Sequence, residues 1–547
     1  MKLWYAIPTC NTPLANKTLE LWRKRGFLTA ALVDGDTRLP DADFTVRVDT
    51  YEGYYRSVNT LVREIAKVEG EMPDIIVTGG DDMYPDPKAD PQRVAAECYE
   101  KFPDGFFVMQ PIGDTLHGTD KICGSPWFGR KWLERAYQGR GPFWPGYFQF
   151  YGDEELKKLT ERKGVLWQRG DLAQHHEHYL RTGIKTEYQH KNEVRYWDID
   201  KMLFASREMK GFPGHSPKVE WPDKDARIVV TGAGGFIGHH LVNRLVAEGC
   251  TNITAIDIKE PEFSTDRARW GEYDFDLRTS LEHAWDSMRD MCHNAYVFHL
   301  AADMGGIGFI ETYKGAIVAN NTRIDLNVLD AAHFAKAKRL LFSSSACVYP
   351  AGLQQSADVV PLAEHHAYPA QAEDGYGWQK LYTEMLCRHY REDFGLDTRI
   401  ARYHNIYGPE GTYEGGREKA PAALCRKTAL VEAGGQLEIW GDGHQTRSYC
   451  YVDDCVEATI RLMLSDYVDP INIGTDELVS VREMAGFLQK LSGKEYSFRY
   501  DTTKPQGVRG RNADLSLVNQ TLNWSPVWPF DEGLKKTYEW IRSRLAK

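Results

Sequence analysis

No apolar run in the 547-residue chain approaches the roughly 18 residues that a membrane-spanning helix requires. Its opening, Met1-Lys-Leu-Trp-Tyr-Ala-Ile-Pro8, has only a short apolar stretch before proline and reads as a first strand, not a cleaved leader. The ten cysteines are scattered and form no CxxC pair, which excludes the common zinc and dithiol redox motifs. Reduced thiols in a cytoplasmic protein are the expectation. Positive charge is not in excess either. A formal net charge of -11 argues against a general binder of nucleic acid or acidic membranes. It leaves room for a local basic pocket around a small anion. Internal repeats and low-complexity tracts are absent.

What remains is an ordinary globular composition, 42% hydrophobic and 27% charged, in a chain too long for one core. The clearest seam is Gly211-Phe-Pro-Gly-His-Ser-Pro-Lys-Val-Glu-Trp-Pro-Asp223, whose three prolines and two glycines cannot continue a helix or central strand. Two domains are expected, over 1–212 and 225–547, with a linker over 213–224. Both halves alternate apolar strands with amphipathic helices, which predicts α/β architecture. In the first half Leu3–Ile7, Thr29–Val33 and Asp74–Thr78 read as strands, and Leu14–Arg25 and Ser57–Val68 as helices. In the second, strands are expected over Arg227–Thr231, Asn252–Asp257, Tyr296–Ala301 and Arg339–Ser343.

Ile228-Val-Val-Thr231 runs into Gly232-Ala-Gly-Gly235-Phe236-Ile237-Gly238 and then a helical run, His239 to Glu248. The GxxGxxG spacing after a strand lets the backbone approach a pyrophosphate, which then meets the free N–H groups of a helix start. The next strand ends at Asp257, placed to accept both ribose hydroxyls and to repel a 2′-phosphate, which favours NAD over NADP. Asp276-Leu-Arg278 and Leu300-Ala-Ala302 fall where further cofactor-contacting loops are expected.

Downstream, Ser343-Ser-Ser345-Ala-Cys347 closes a strand, and Tyr376-Gly-Trp-Gln-Lys380 puts Tyr and Lys on one helix face. An ammonium near a phenol lowers its pKa, so Tyr376 can take a hydroxyl proton while Ser345 holds the same oxygen.

These segments resemble the extended short-chain dehydrogenase/reductase family, and within it the GDP-mannose 3,5-epimerases, from about Arg227 to the C-terminus. The most specific runs are Ala302-Asp-Met-Gly-Gly-Ile-Gly-Phe309, His404-Asn-Ile-Tyr-Gly-Pro409 and Gly415-Gly-Arg-Glu-Lys-Ala-Pro421. The resemblance implies a Rossmann domain with a smaller substrate-binding lobe, NAD as cofactor, a nucleotide sugar such as GDP-mannose as substrate, and a homodimer. It implies oxidation at C4 with Tyr376 as base, proton exchange at C3 and C5 by Cys347 and Lys419, and reduction back at C4. Gly305, Gly306, Asn405, Glu418, Lys427, Arg447, Arg509 and Arg511 match the substrate-binding positions, the cations suiting a diphosphate. A 4-epimerase would need the tyrosine without a Cys/Lys pair. A 4,6-dehydratase usually carries Asp-Glu where this chain has Cys347-Val348.

In the first half, Asp74-Ile-Ile-Val-Thr78 leads to Gly79-Gly-Asp-Asp82. Two carboxylates at a strand end suit a hard divalent cation, Mn or Mg, against a nucleotide diphosphate. This looks like the acidic motif of GT-A-fold glycosyltransferases, with a mixed sheet and an unspecified sugar acceptor. Gly124–Arg130 is expected to open a helix, Asp153-Glu154 to offer a general base, and His176 or His178 on a further helix to reach the metal of Asp81 and Asp82. The competing reading is a non-catalytic domain that binds glycans or sets oligomeric state.

Overall fold

The chain folds as two compact units, Met1–Lys218 and Val219–Lys547. The computed structural model describes residues 1–114, 121–177, 187–209, 211, 212, 214, 218–259, 262, 263, 269, 270, 276–279 and 285–546.

Unit 1 contains β1 (Leu3–Pro8), β2 (Leu28–Asp34), β3 (Phe44–Val48), β4 (Ile75–Thr78), β5 (Met83–Tyr84), β6 (Val108–Pro111), β7 (Trp127–Gly129), β8 (Leu166–Arg169) and β9 (His175–His176). Seven of them form one sheet in the order β3-β2-β1-β4-β7-β6-β8. β1, β2 and β4 are almost wholly buried, as parallel strands covered by helices on both faces must be. The sheet is mixed because β7 runs antiparallel to both β4 and β6. Cores containing Trp4, Val58 and Phe128, and Tyr5, Trp22 and Trp127, pack around it.

Two expectations fail in unit 1. Gly124–Arg130 does not open a helix, because Trp127 and Phe128 enter the sheet as β7 and helix begins only at Arg130. His175 and His176 are not helical: β9 pairs antiparallel with β5, Met83 opposite His176. A two-residue strand has no periodicity to read; its partner makes it.

Unit 2 begins within the expected linker. Trp221 is only 1% exposed and packs edge-on against Tyr296, while its backbone N–H donates to Glu248. The strands are β10 (Ile228–Thr231), β11 (Ile253–Ile256), β12 (Arg269–Trp270), β13 (Tyr296–His299), β14 (Arg339–Ser345), β15 (Thr398–Tyr403), β16 (Ile406–Tyr407) and β17 (Gln436–Trp440). They continue with β18 (Thr446–Ser448), β19 (Cys450–Tyr451), β20 (Pro470–Ile473), β21 (Leu478–Ser480), β22 (Ser497–Asp501) and β23 (Gly510–Arg511). The main sheet, β12-β11-β10-β13-β14-β15-β20, is parallel throughout. Small sheets β17-β22 and β21-β18-β23 make up a second layer of structure near the C-terminus.

The chain leaves β10 towards β11 and β12, then returns to β13 on the other side. This reversal opens a crevice beyond the carboxyl end of β10, where ligands of such sheets bind. Unit 1 repeats the device: β1 lies between β2 and β4.

Candidate active site

The turn after β10 is shaped by glycine. Gly232 has φ +73°, and a Cβ there would come within 2.6 Å of the Ala301 nitrogen. A side chain on Gly238 would run into the Gly232 carbonyl. Gly235 then caps the helix Phe236–Ala247, leaving its first N–H groups free of any side-chain cap. Asp257 braces the turn, accepting from the backbone N–H groups of Gly234 at 2.9 Å and Lys259 at 2.8 Å.

Beside this turn is a cavity of about 590 Å³, within the range of cofactor pockets. Its walls bring together Gly232, Gly235, Phe236, Ile237, Gly238, Asp257, Asp276 and Leu300. Gly305, Ser345, Tyr376, Lys380, Asn405 and Lys419 line the same space. Asp276 is held by a forked pair with Arg278, Oδ1 and Oδ2 accepting at 2.8 and 2.6 Å.

Tyr376 and Lys380 share the helix Asp374–Phe394. Burial pushes the Tyr376 phenol up, the nearby Cys347 adds to this, and the Ser345 hydroxyl opposes it. The phenol therefore lies above its ordinary range, not below it as an ammonium acting alone would place it, because burial outweighs the opposing groups. Burial pushes the Lys380 ammonium down, against the pull of Asp325. Lys380 Nζ is buried, has no hydrogen-bond partner among the described residues and stands 4.6 Å over the Phe342 ring.

Cys347 follows β14, its N–H donating to Ser345 Oγ at 3.2 Å. Burial raises its thiol pKa, and Arg511, with Nη1 at 3.8 Å from the sulfur, pulls it back. Lys419 is the N-cap of the helix Ala420–Leu430. Burial lowers its pKa, and Cys347 is the first group to oppose that. Cys347 thus acts on both Tyr376 and Lys419.

The other expected substrate residues are placed differently. Gly306 and Glu418 form a seam between two loops, since a Cβ on Gly306 would strike the Glu418 carbonyl, and the Glu418 side chain accepts from Gly416. Lys427 donates to the Glu438 carbonyl at 3.0 Å. Arg447 donates to the carbonyls of Thr446 and Val508, and burial lowers its pKa to about 10. Arg509 pairs with Asp442 at 2.8 Å. Gly306, Cys347, Glu418, Lys427, Arg447, Arg509 and Arg511 are not among the residues lining the cavity.

His239, His240 and Glu410 can bring donor atoms within 4.8 Å of one another. His239 Nδ1 donates to the Gly235 carbonyl, and its Nε2 lies 3.0 Å from Glu410. His240 Nε2 is engaged with the Pro409 carbonyl at 3.2 Å.

In unit 1 the acidic pair follows β4 at the crevice. Asp81 accepts from Thr9 Oγ1 at 2.7 Å, and burial, with Asp82 adding to it, raises its pKa to about 6. Asp82 lies 3.3 Å from His176 Nε2, because β9 pairs with β5. His178 falls outside the described residues. Asp153 is no free base: it lies in the first turn of the helix Gly152–Arg162 and accepts from Tyr55 at 3.0 Å.

Over 328 residues the chain is 45% identical to a GDP-mannose 3,5-epimerase 1 of Oryza sativa subsp. indica, a match covering 60% of this chain and 84% of that protein. The chain belongs to the NAD-dependent epimerase/dehydratase family. The family's profile matches residues 228–474, within unit 2. A GDP-mannose 3,5-epimerase of Arabidopsis thaliana is also 45% identical, with 60% of this chain and 85% of that protein covered. Among solved structures, the UDP-glucose 4-epimerase of Thermotoga maritima with UDP-glucose superposes with a TM-score of 0.51 at 27% identity, covering 58% and 99% of the two chains. The UDP-glucuronic acid 4-epimerase of Bacillus cereus, solved with UDP-glucuronic acid and NAD, gives 0.50 at 26% over 58% and 99%.

The NAD of this family fits the cavity on the chain's own geometry. The glycine turn leaves no room for side chains, the helix start is uncapped, and Lys380 Nζ is a buried donor without an acceptor among the described residues. Gly232, Gly235 and Gly238 would admit the pyrophosphate, Asp257 the adenine-side ribose, and Lys380 the nicotinamide-side ribose.

Sequence reasoning did not single out the buried pair His299 and Asp325, 2.9 Å apart. An aspartate inside the largely apolar stretch Ile324-Asp-Leu-Asn-Val-Leu329 was the available signal.

Proposed function

We propose that unit 2 epimerises a nucleotide sugar at C3 and C5 through a C4 ketone, with a GDP-hexose of the mannose type as substrate. The carrying observation is that Tyr376, Lys419 and Ser345 line one cavity with the glycine turn, and that Cys347 follows Ser345 by two residues, its N–H donating to the Ser345 hydroxyl. When bound, NAD supplies reversible oxidation at C4. Tyr376 takes the C4 hydroxyl proton, held in line by Ser345. The ketone makes the neighbouring C–H bonds acidic, and Cys347 and Lys419 offer two proton-transfer groups for opposite faces of the ring. Cys347 opposes the lowering of the Lys419 amine, while its own thiol is governed by burial, Arg511 and Glu373. A 4-epimerase has no need of that pair. The GDP preference rests on the named relatives.

The test is incubation of the NAD-loaded chain with GDP-mannose in deuterium oxide, followed by NMR of the sugar. Deuterium at C3 and C5, with new gulose- or galactose-configured products, is expected. Turnover without exchange, or inversion at C4 alone, would overturn the reading.

We propose for unit 1 a nucleotide-sugar transferase activity, making the chain bifunctional. Its support is the acidic turn at the reversal of the sheet, where Asp82 and His176 present an oxygen and a nitrogen 3.3 Å apart. They would hold a divalent cation against a diphosphate. Asp82→Ala should abolish metal-dependent transfer or hydrolysis of the nucleotide sugar and leave exchange in unit 2 intact. Unchanged metal-dependent activity in that variant would remove the proposal.

A further inference from the structure

A buried carboxylate joins the strand of the cofactor turn to the helix of Tyr376 and Lys380. Asp325 is wholly buried within the helix Lys314–Phe334. Its Oδ1 lies 2.9 Å from His299 Nε2, and its Oδ2 accepts from Gln379 Nε2 at 2.6 Å and Thr383 Oγ1 at 2.8 Å. His299 Nδ1 lies 2.8 Å from Thr231 Oγ1, which itself accepts from the Ala301 N–H. The contacts allow the Thr231 hydroxyl to donate to Nδ1 while Nε2–H donates to Asp325. Asp325 is the carboxylate of this group.

A buried anion needs a cation, and a buried cation needs an anion. Lys380 is 1% exposed, with an ammonium that no hydrogen bond from the described residues satisfies. Two other acidic groups bear on it from its own helix, Glu384 and Cys387. Glu384 is engaged by the fork of Arg402 at 2.9 and 2.7 Å, and also accepts from Ser344. Burial drives the Cys387 thiol far above its ordinary range, so it stays neutral. Among the described residues, Asp325 is the anion left to Lys380. Burial works against its charge, yet Lys380 and then His299 hold it below the ordinary carboxylate range.

We propose that Asp325, fixed by His299, Gln379 and Thr383, is a positioning residue that keeps Lys380 protonated in the closed site so that Tyr376 can accept the substrate proton. The role of Tyr376 in this statement rests on the epimerase reading above. The pairing of Asp325 with Lys380 does not, and it can be measured without any sugar.

The experiment uses NAD-loaded protein carrying 13Cε-lysine, with the Lys380 signal identified by its loss in Lys380→Met. Lys380 should be charged at neutral pH in the wild type, and Asp325→Asn should lower its titration midpoint by roughly one pH unit or more. Thr383→Val, which removes a neutral hydrogen bond and no charge, should leave the midpoint where the wild type has it. An unchanged midpoint in Asp325→Asn, or a wild-type Lys380 already neutral at pH 7, overturns the proposal. If Asp325→Asn does not fold, the wild-type midpoint decides alone. Deuterium exchange tests the epimerase reading separately, so failure of one is distinct from failure of the other.

Discussion

Arg511 Nη1 stands 3.8 Å from the sulfur of Cys347, and another nitrogen of the same guanidinium is paired with Glu373. Burial makes the Cys347 thiol harder to ionise, Arg511 opposes that, and Glu373 partly cancels Arg511. The reactivity of this cysteine is thus set by a balance of neighbours, as thiolate chemistry generally is. Arg511→Gln should raise the thiol pKa and lower turnover at neutral pH, roughly tenfold for each pH unit by which the thiol moves, with recovery as pH increases. A pH-rate profile of the variant checks this. A uniform loss at every pH would assign Arg511 to substrate binding alone.

Lys419 and Tyr376 should separate the two halves of the chemistry. Lys419→Ala is expected to keep NAD bound and to form the ketone, while deuterium incorporation is lost. Tyr376→Phe should slow the first oxidation by about 10²–10⁴, the usual worth of a positioned base. Single-turnover absorbance of the reduced cofactor distinguishes them, and normal oxidation in Tyr376→Phe would reassign the base.

Gly238 packs against the backbone of Gly232 with no space for a methyl group. Gly238→Ala should therefore push the cofactor turn open, with a cost of about 1–3 kcal/mol from overpacking and loss of NAD on purification. Cofactor content and thermal unfolding of the variant are the measurements. Full NAD occupancy would show that the turn yields elsewhere.

Asp81 gives unit 1 a pH dependence of known sign. Its folded pKa of about 6 lies above the ordinary value of 3.8, so between these values the native state holds a proton that the unfolded chain has released. Stability should fall as pH rises through this window, by on the order of 3 kcal/mol, and stay lower above it. Asp81→Asn should remove the slope and stabilise unit 1 at neutral pH. Urea unfolding followed from about pH 4 to about pH 7 tests this, and an identical slope in the variant would contradict it.

Much of this arrangement could be read along the chain, and the parts that could be read share a property. The turn Gly232–Gly238 is local: strand, glycines and helix start lie within a dozen residues of one another, so their geometry follows from steric rules acting on neighbours. Tyr376 and Lys380 are likewise joined by a single helical turn. The expectations that failed lie where the partner is distant. His176 is a strand residue only because Met83 is opposite it, and Trp127 and Phe128 are strand residues because β4 and β6 flank them. Asp153 reads more readily as the first turn of a helix than as a base, and it lies in that turn with Tyr55 donating to it. The Tyr376 phenol moved opposite to the expected direction because burial, which no spacing encodes, outweighs the groups that oppose it.

The sequence by itself determined the α/β alternation, the cofactor turn and the spacing of its glycines, because backbone sterics and hydrophobic periodicity act over a few residues. Tertiary structure alone decided which charges meet. Lys380 acquires Asp325 from the helix Lys314–Phe334, earlier in the chain, and Cys347 acquires Arg511 from 164 residues later. Arg447 and Lys427 are taken up by nearby carbonyls. Electrostatic influence depends on distance in space and on the exclusion of water, and neither quantity is written in the order of residues.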